Sequence, residues 1–151
     1  MDAAEARDRE TILALMAAVN AHDLEAFLAT LTEDVVYDFH HEGFGPACGK
    51  AEVTAAWHGM LAAFPDLHED IRDIQLRAGL GVVHWRMTGT LAGPLPVGNR
   101  IALPKPGAGP ISMRGVDIFT LRDGLVARKD TYADVGVWFE AFEGSLVPRP
   151  D

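Results

Sequence analysis

Apolar residues recur at helical spacing in the first part of the chain and at alternate positions in most of the remainder. Ile12, Leu15, Met16 and Val19 share one side of a helix over residues 5–19 that ends near Asn20. Asp23 stands where an N-cap would start a second, short helix carrying Leu24, Phe27, Leu28 and Leu31. VVYDFH at 35–40 is rich in β-branched and aromatic residues. It predicts a strand with Val35, Tyr37 and Phe39 on one face and Asp38 and His40 on the other. After a loop marked by glycines and a proline, a third helix over 50–64 aligns Val53, Trp57, Met60, Leu61 and Phe64, and Pro65 ends it. Strands come next at 68–78 and 81–91. In the second of these, Val83, Trp85 and Met87 alternate with His84, Arg86 and Thr88, which turns His84 and Arg86 away from the core.

The stretch MRGVDIFTLRDGLVARKDTYAD, 113–134, reads as two strands joined at Asp123-Gly124, since both central positions of a tight hairpin turn must tolerate positive φ. With a two-residue loop, Asp117 faces Asp130, Phe119 faces Arg128, Gly115 faces Tyr132 and Met113 faces Asp134, all on one side of the hairpin. Opposed like charges destabilise a sheet. In a dry pocket each carboxylate would disfavour ionisation of the other, leaving one protonated near neutral pH and fit for acid or base work. On a solvated strand end, Arg128 and Lys129 would simply neutralise the two acids.

Residues 93–110 are dense in proline and glycine, with one short strand at 99–103, and a loop of this length suits a lid over a pocket. VGVWFEAF at 135–142 offers Val137, Trp138 and Phe142 for docking a last short helix, and the tail from about 146 to 151 reads as loose. The 151 residues fit one domain, 1–151, with 48% hydrophobic and 23% charged residues. A net charge of −9 without a compensating basic cluster disfavours nucleic acid and anionic membrane as partners. Cys48, the single cysteine, excludes an internal disulfide and reads as a small buried or half-buried residue. The charged start lacks the apolar core of a signal peptide and no run is long enough to span a bilayer, which leads us to expect a cytoplasmic protein. His40, His41 and Glu42 lack the spacing of a ligand set, so no metal site is expected.

Three helices and then a run of strands make an α+β layout. VNAHDLEAFLATLTEDVVYD, AAFPDL, the GTLAG turn with PLPVGNRI, and IFTLRDGLVARKDTYAD together resemble the SnoaL-like polyketide cyclases of the nuclear transport factor 2-like superfamily, which also holds ketosteroid isomerase and limonene epoxide hydrolase. The resemblance implies a curved antiparallel sheet wrapped around helices into a cone-shaped barrel with an internal apolar cavity. It also implies chemistry without cofactor or metal, an intramolecular aldol ring closure in which an acidic residue moves the proton. Asp117 falls where the isomerase carries an oxyanion-hole aspartic acid, Trp57 where a cavity aromatic sits, and Asp130 and Tyr132 on cavity-facing positions of the final strand. The departures are Leu91 where many of the cyclases have a histidine, Leu15 where the isomerase has its tyrosine, and Phe39 where it has its basic aspartate. Steroid isomerisation is therefore disfavoured.

These readings make Asp117 and Asp130 the acid and base, Tyr132 a hydrogen-bond donor to an enolate and Arg128 a group that steadies its charge. Phe39, Trp57, Leu91, Phe119 and Asp134 complete the pocket for an apolar, carbonyl-bearing small molecule. The alternatives are epoxide opening by water around an acid-arginine-acid set, another isomerase of the same fold, and a small-ligand-binding protein without chemistry. An outward sheet face with Val116 and Ile118 points to a homodimer or higher homo-oligomer.

Overall fold

The computed structural model describes residues 2–41, 43–97, 99–142 and 147–148. Helix α1, Ala3–Ala21, starts at a capping box: Asp2 accepts from the Glu5 amide at 2.8 Å while the Glu5 carboxylate accepts from the Asp2 amide. Asp23 caps α2, Leu24–Ala29, through the Ala26 amide. Strand β1 spans Leu31–Phe39 and so begins four residues before the expected start at Val35. Leu31, expected on α2, is buried at the head of this strand instead. A two-residue strand β2, Ala47–Cys48, lies in the expected loop and leads into α3, Gly49–Ala63. Cys48 is exposed rather than buried, because it holds the N-cap position of α3.

Strands β3 (His68–Arg77), β4 (Leu80–Gly89), β7 (Ile111–Arg122) and β8 (Leu125–Ala133) supply most of a six-stranded sheet, ordered β2-β1-β8-β7-β4-β3. The sheet is curved and helices α1 and α3 pack on its inner side, α1 against β3, β4 and β8 and α3 against β1. Two features depart from expectation. Strand β1 pairs with β8 in parallel, so the sheet is mixed rather than wholly antiparallel. Among the described residues β2 and β3 remain its edges, which makes the sheet open, not a closed barrel.

The turn at the β7–β8 hairpin is the expected one, with φ of 54° at Asp123 and 80° at Gly124. The register is not. Arg122 faces Leu125 and Leu121 faces Val126, but Thr120 then faces Arg128, leaving Ala127 unpaired as a β-bulge. One extra residue in β8 reverses its inward and outward positions beyond the bulge. Asp117 consequently faces Thr131, and Asp130 faces Ile118. Phe119 faces Lys129, Gly115 faces Ala133 and Val116 faces Tyr132.

Residues 93–110 carry two short strands, β5 (Leu95–Val97) and β6 (Arg100–Ala102), in place of a single one. Val147–Pro148 pairs with β6 as β9, inside the segment expected to be loose; residues 143–146 and 149–151 lie outside the described residues. The last helix is a 3-10 turn at Val135–Glu140 that buries Trp138 against Phe39, Phe44, Phe64 and Phe142, the docking expected of it. No helix among the described residues is long and apolar enough to cross a membrane.

Candidate active site

A cavity of about 480 Å³ lies between the helices and the inner face of the sheet. Its walls are largely hydrocarbon and aromatic: Leu15, Met16 and Val19 from α1, Phe27 from α2, Trp57 and Met60 from α3, and Phe39, Trp85, Met87 and Trp138 from the sheet side. Leu95 and Pro96 of β5 close part of it, so the segment expected as a lid does form wall. The polar residues Tyr37, Glu69, Asp117, Lys129 and Thr131 line this apolar space, and Asp38 touches it as well.

The placement of the first five follows from strand parity. On β7, Ile111, Met113, Gly115, Asp117, Phe119 and Leu121 form one alternating set, so Asp117 is carried inward by its neighbours and is only 2% exposed. On β8 the bulge turns Lys129 and Thr131 to the same side, and the parallel pairing places Tyr37 of β1 beside Lys129. On β3, Glu69 shares its parity with Ile71 and stands opposite Met87.

Asp117 is fully engaged. Thr131 donates to its Oδ1 at 2.6 Å, and the Lys129 ammonium lies 3.8 Å from its Oδ2. The same ammonium sits 4.4 Å above the Tyr37 ring, where the aromatic quadrupole attracts a cation. Burial holds the Tyr37 hydroxyl well above the usual phenol range, with the charges of Asp117 and Glu69 adding to the effect.

Glu69 is a second carboxyl in this cavity. Burial in the cavity, reinforced by repulsion from Asp117 and opposed by Lys129, raises its carboxyl to about 7. Its backbone is held at both polar groups: Asn20 at the end of α1 donates from Nδ2 to the Glu69 carbonyl at 2.8 Å and accepts from the Glu69 amide at 2.8 Å. His22 makes a further 2.9 Å hydrogen bond with the Leu67 carbonyl. The carboxyl is thus presented by a strand pinned to a helix.

The anticipated carboxylate pair, Asp117 with Asp130, does not exist, because the bulge sends Asp130 to the outer face. There Arg128 binds Asp130 through Nε at 2.8 Å and through Nη2 at 2.7 Å, and reaches Asp38 at 3.0 Å. His40 lies 2.7 Å from the Asp130 carboxylate and its ring stacks on Tyr132 with centroids 4.5 Å apart. Arg128, and secondarily His40, hold the Asp130 carboxyl below its usual range. Asp38, His40 and Asp130 bring possible ligand atoms within 4.8 Å of one another, and the Arg128 guanidinium already supplies the positive charge these carboxylates face.

The expected site residues therefore divide. Asp117, Phe39 and Trp57 line the cavity. Phe119 is fully buried core beside it, and Leu91 is buried core as well; neither is among the cavity-lining residues. Asp130, Arg128 and half-exposed Tyr132 lie on the outer face, and exposed Asp134 stands at the end of β8 before the 3-10 turn. The residues missed from sequence are Glu69, Lys129, Thr131 and Tyr37. The signal for Tyr37 was present in its parity with Val35 and Phe39, and that for Glu69 in its parity with Ile71.

A family model described as a SnoaL-like domain matches residues 3–129. Among solved structures, a protein from Jannaschia sp. CCS1, provisionally described as a SnoaL-like polyketide cyclase, superposes with a TM-score of 0.81 at 22% identity, over 96% of this chain and 97% of that one. IdmH from Streptomyces antibioticus, provisionally a polyketide cyclase, superposes with a TM-score of 0.69 at 22% identity over 88% of this chain and 96% of its own. A protein of ketosteroid isomerase-like fold from Catenulispora acidiphila, in complex with trimethylamine, gives 0.70 at 15% identity, covering 87% and 92%. These likenesses show the fold. No curated protein matches the chain.

Proposed function

The chain belongs to the SnoaL-like domain family, and we propose that it is a small-molecule enzyme of the polyketide-cyclase type, closing a ring in an apolar carbonyl compound by proton transfer, without cofactor or metal. The observation that carries this reading is the Glu69 carboxyl, raised to about 7 inside a largely apolar cavity and facing a fixed lysine. A carboxyl titrating there is a competent base in one half of its population and a competent acid in the other.

The chemistry runs on this chain's own groups. Glu69 as carboxylate takes a proton from the carbon next to a substrate carbonyl. The Lys129 ammonium, held by Asp117, faces the enolate oxygen that forms. The enolate carbon attacks a second carbonyl of the same molecule, making one carbon–carbon bond, and the resulting alkoxide recovers the proton from Glu69. Nothing is oxidised or reduced. Asp117 plays the tuning role foreseen for a second carboxylate, with Glu69 rather than Asp130 as its partner.

Epoxide opening fits less well, since the Arg128 guanidinium is tied to Asp130 and Asp38 on the outer face and does not line the cavity. Simple ligand binding is separated from catalysis by one assay. The first half of the reaction is exchange of an α-proton, so incubation of an apolar ketone such as 2-tetralone with the protein in deuterated buffer, monitored by proton NMR, reads it directly. We expect catalysed exchange that falls by a factor on the order of 10² to 10⁴ in Glu69→Gln. Binding of the ketone without faster exchange would make this a binding protein, and catalysed exchange indifferent to Glu69→Gln would take the role of base from Glu69.

A further inference from the structure

Three hydrogen-bond donors on the cavity wall take no part in the proton transfer. The Tyr37 hydroxyl and the indole N–H groups of Trp85 and Trp138 are buried, and none has a hydrogen-bond partner among the described residues. All three side chains line the cavity, whereas Asp8 and Thr32, whose Oδ1 and Oγ1 are likewise unpartnered, do not. A buried donor without an acceptor carries the full cost of its lost hydration, and such groups are ordinarily paired. An indole N–H can only donate, and burial keeps the Tyr37 hydroxyl protonated by raising it well above the usual phenol range. Asp117, already engaged by Thr131 and Lys129, accepts from none of them.

The three donors stand apart from one another. Tyr37 and Phe39 are successive inward positions of β1, and Trp138 stacks on Phe39 with ring centroids 5.6 Å apart. Trp85 belongs to β4, which β8 and β7 separate from β1, about 14 Å across the sheet at ordinary strand spacing. Its indole lies over Gly115, its cross-strand partner, where a Cβ would collide with the ring. One ligand oxygen cannot serve all three groups. Between them the wall is hydrocarbon and aromatic, including Phe27 and Trp57 with centroids 4.4 Å apart, a surface suited to flat rings. The acceptors these donors call for are therefore spread along the molecule that the cavity holds.

We propose that Tyr37, Trp85 and Trp138 determine specificity, and that the cavity takes an aromatic compound with carbonyl oxygens at two or more separated positions, each received by one of these donors. The proposal rests on reading the cavity as a site for carbonyl compounds and narrows that reading, since a single ketone leaves donors unmet. A site built to hydrogen-bond a ligand's polar group rejects the analogue that lacks it, because its own buried groups then stay unpaired.

Equilibrium dialysis of the full chain against 1,4-diphenylbutane-1,4-dione and 1,4-diphenylbutane, which differ only in two carbonyls, tests the assignment. The wild type should bind the diketone about tenfold more tightly or better. That preference should fall about fivefold in at least two of Tyr37→Phe, Trp85→Phe and Trp138→Phe, the loss expected for one neutral hydrogen bond. Lost packing weakens both compounds alike, so the ratio of the two affinities isolates the hydrogen bond from the change in shape. A wild type without preference, or a preference that falls in fewer than two of the variants, overturns the proposal. Glu69→Gln should keep the preference. A protein that prefers the diketone without exchanging its α-protons thus loses the catalytic reading and retains this one, whereas exchange without preference removes this one alone.

Discussion

Glu69 carries its carboxyl into a space lined mainly by hydrocarbon, and the cost of charging it there should show in the pH dependence of folding. Its ordinary value is 4.5 and its folded value about 7. Below the first, folded and unfolded chains both hold the proton. Between the two, the unfolded chain has released it and the folded chain has not, so this group's contribution to stability is lost as pH rises through the window and stays lost above about 7. Urea unfolding of the wild type measured from about pH 5 to 8 should show that decline, and Glu69→Gln should remove it; an identical slope in the variant would place the titration elsewhere. Asp117 is legible in the sequence because it is the single charged residue among the apolar inner positions of β7, a local contradiction that needs no knowledge of the fold. Glu69 offers less. What makes its carboxyl unusual is the company of Asp117 and Lys129, which lie far along the chain and on other strands.

At the scale of elements, the helix and strand periods and the Asp123-Gly124 turn were legible, because each follows from short-range sterics and burial. The Ala127 bulge was not. Alternation in LVARKDTYAD is ambiguous, since the apolar residues Val126 and Tyr132 favour one parity and Ala133 the other, and only the packing of Lys129 against Tyr37 and Asp117 decides between them. The same ambiguity yields a counterintuitive prediction. Deleting Ala127 removes the extra residue while Thr120 still faces Arg128, so Lys129 and Thr131 should remain inside. Nuclear Overhauser contacts between the Lys129 side chain and the Tyr37 ring should survive the deletion. Contacts from Tyr37 to Arg128 in their place would show that the strand had turned over.

For the molecule as a whole, the cavity gathers all the tryptophans the chain possesses, Trp57, Trp85 and Trp138. Intrinsic fluorescence is therefore a report from the cavity wall, and an apolar aromatic ketone should quench it saturably in the wild type and comparably in Glu69→Gln, which keeps the size of that side chain and leaves the apolar walls unchanged. No quenching up to the solubility limit would mean that such molecules do not enter.

Strand β3 ends the sheet, and an edge of this kind presents backbone groups to which a strand of another molecule can add. Asn20 meets that edge with a side-chain amide, a copy of the peptide group in miniature, and occupies both the donor and the acceptor of Glu69, while His22 takes the carbonyl of Leu67. The clamp that holds the strand beneath the carboxyl also covers part of the sheet's open edge, so that Asn20 serves both to shield backbone there and to fix the strand that carries the proposed base.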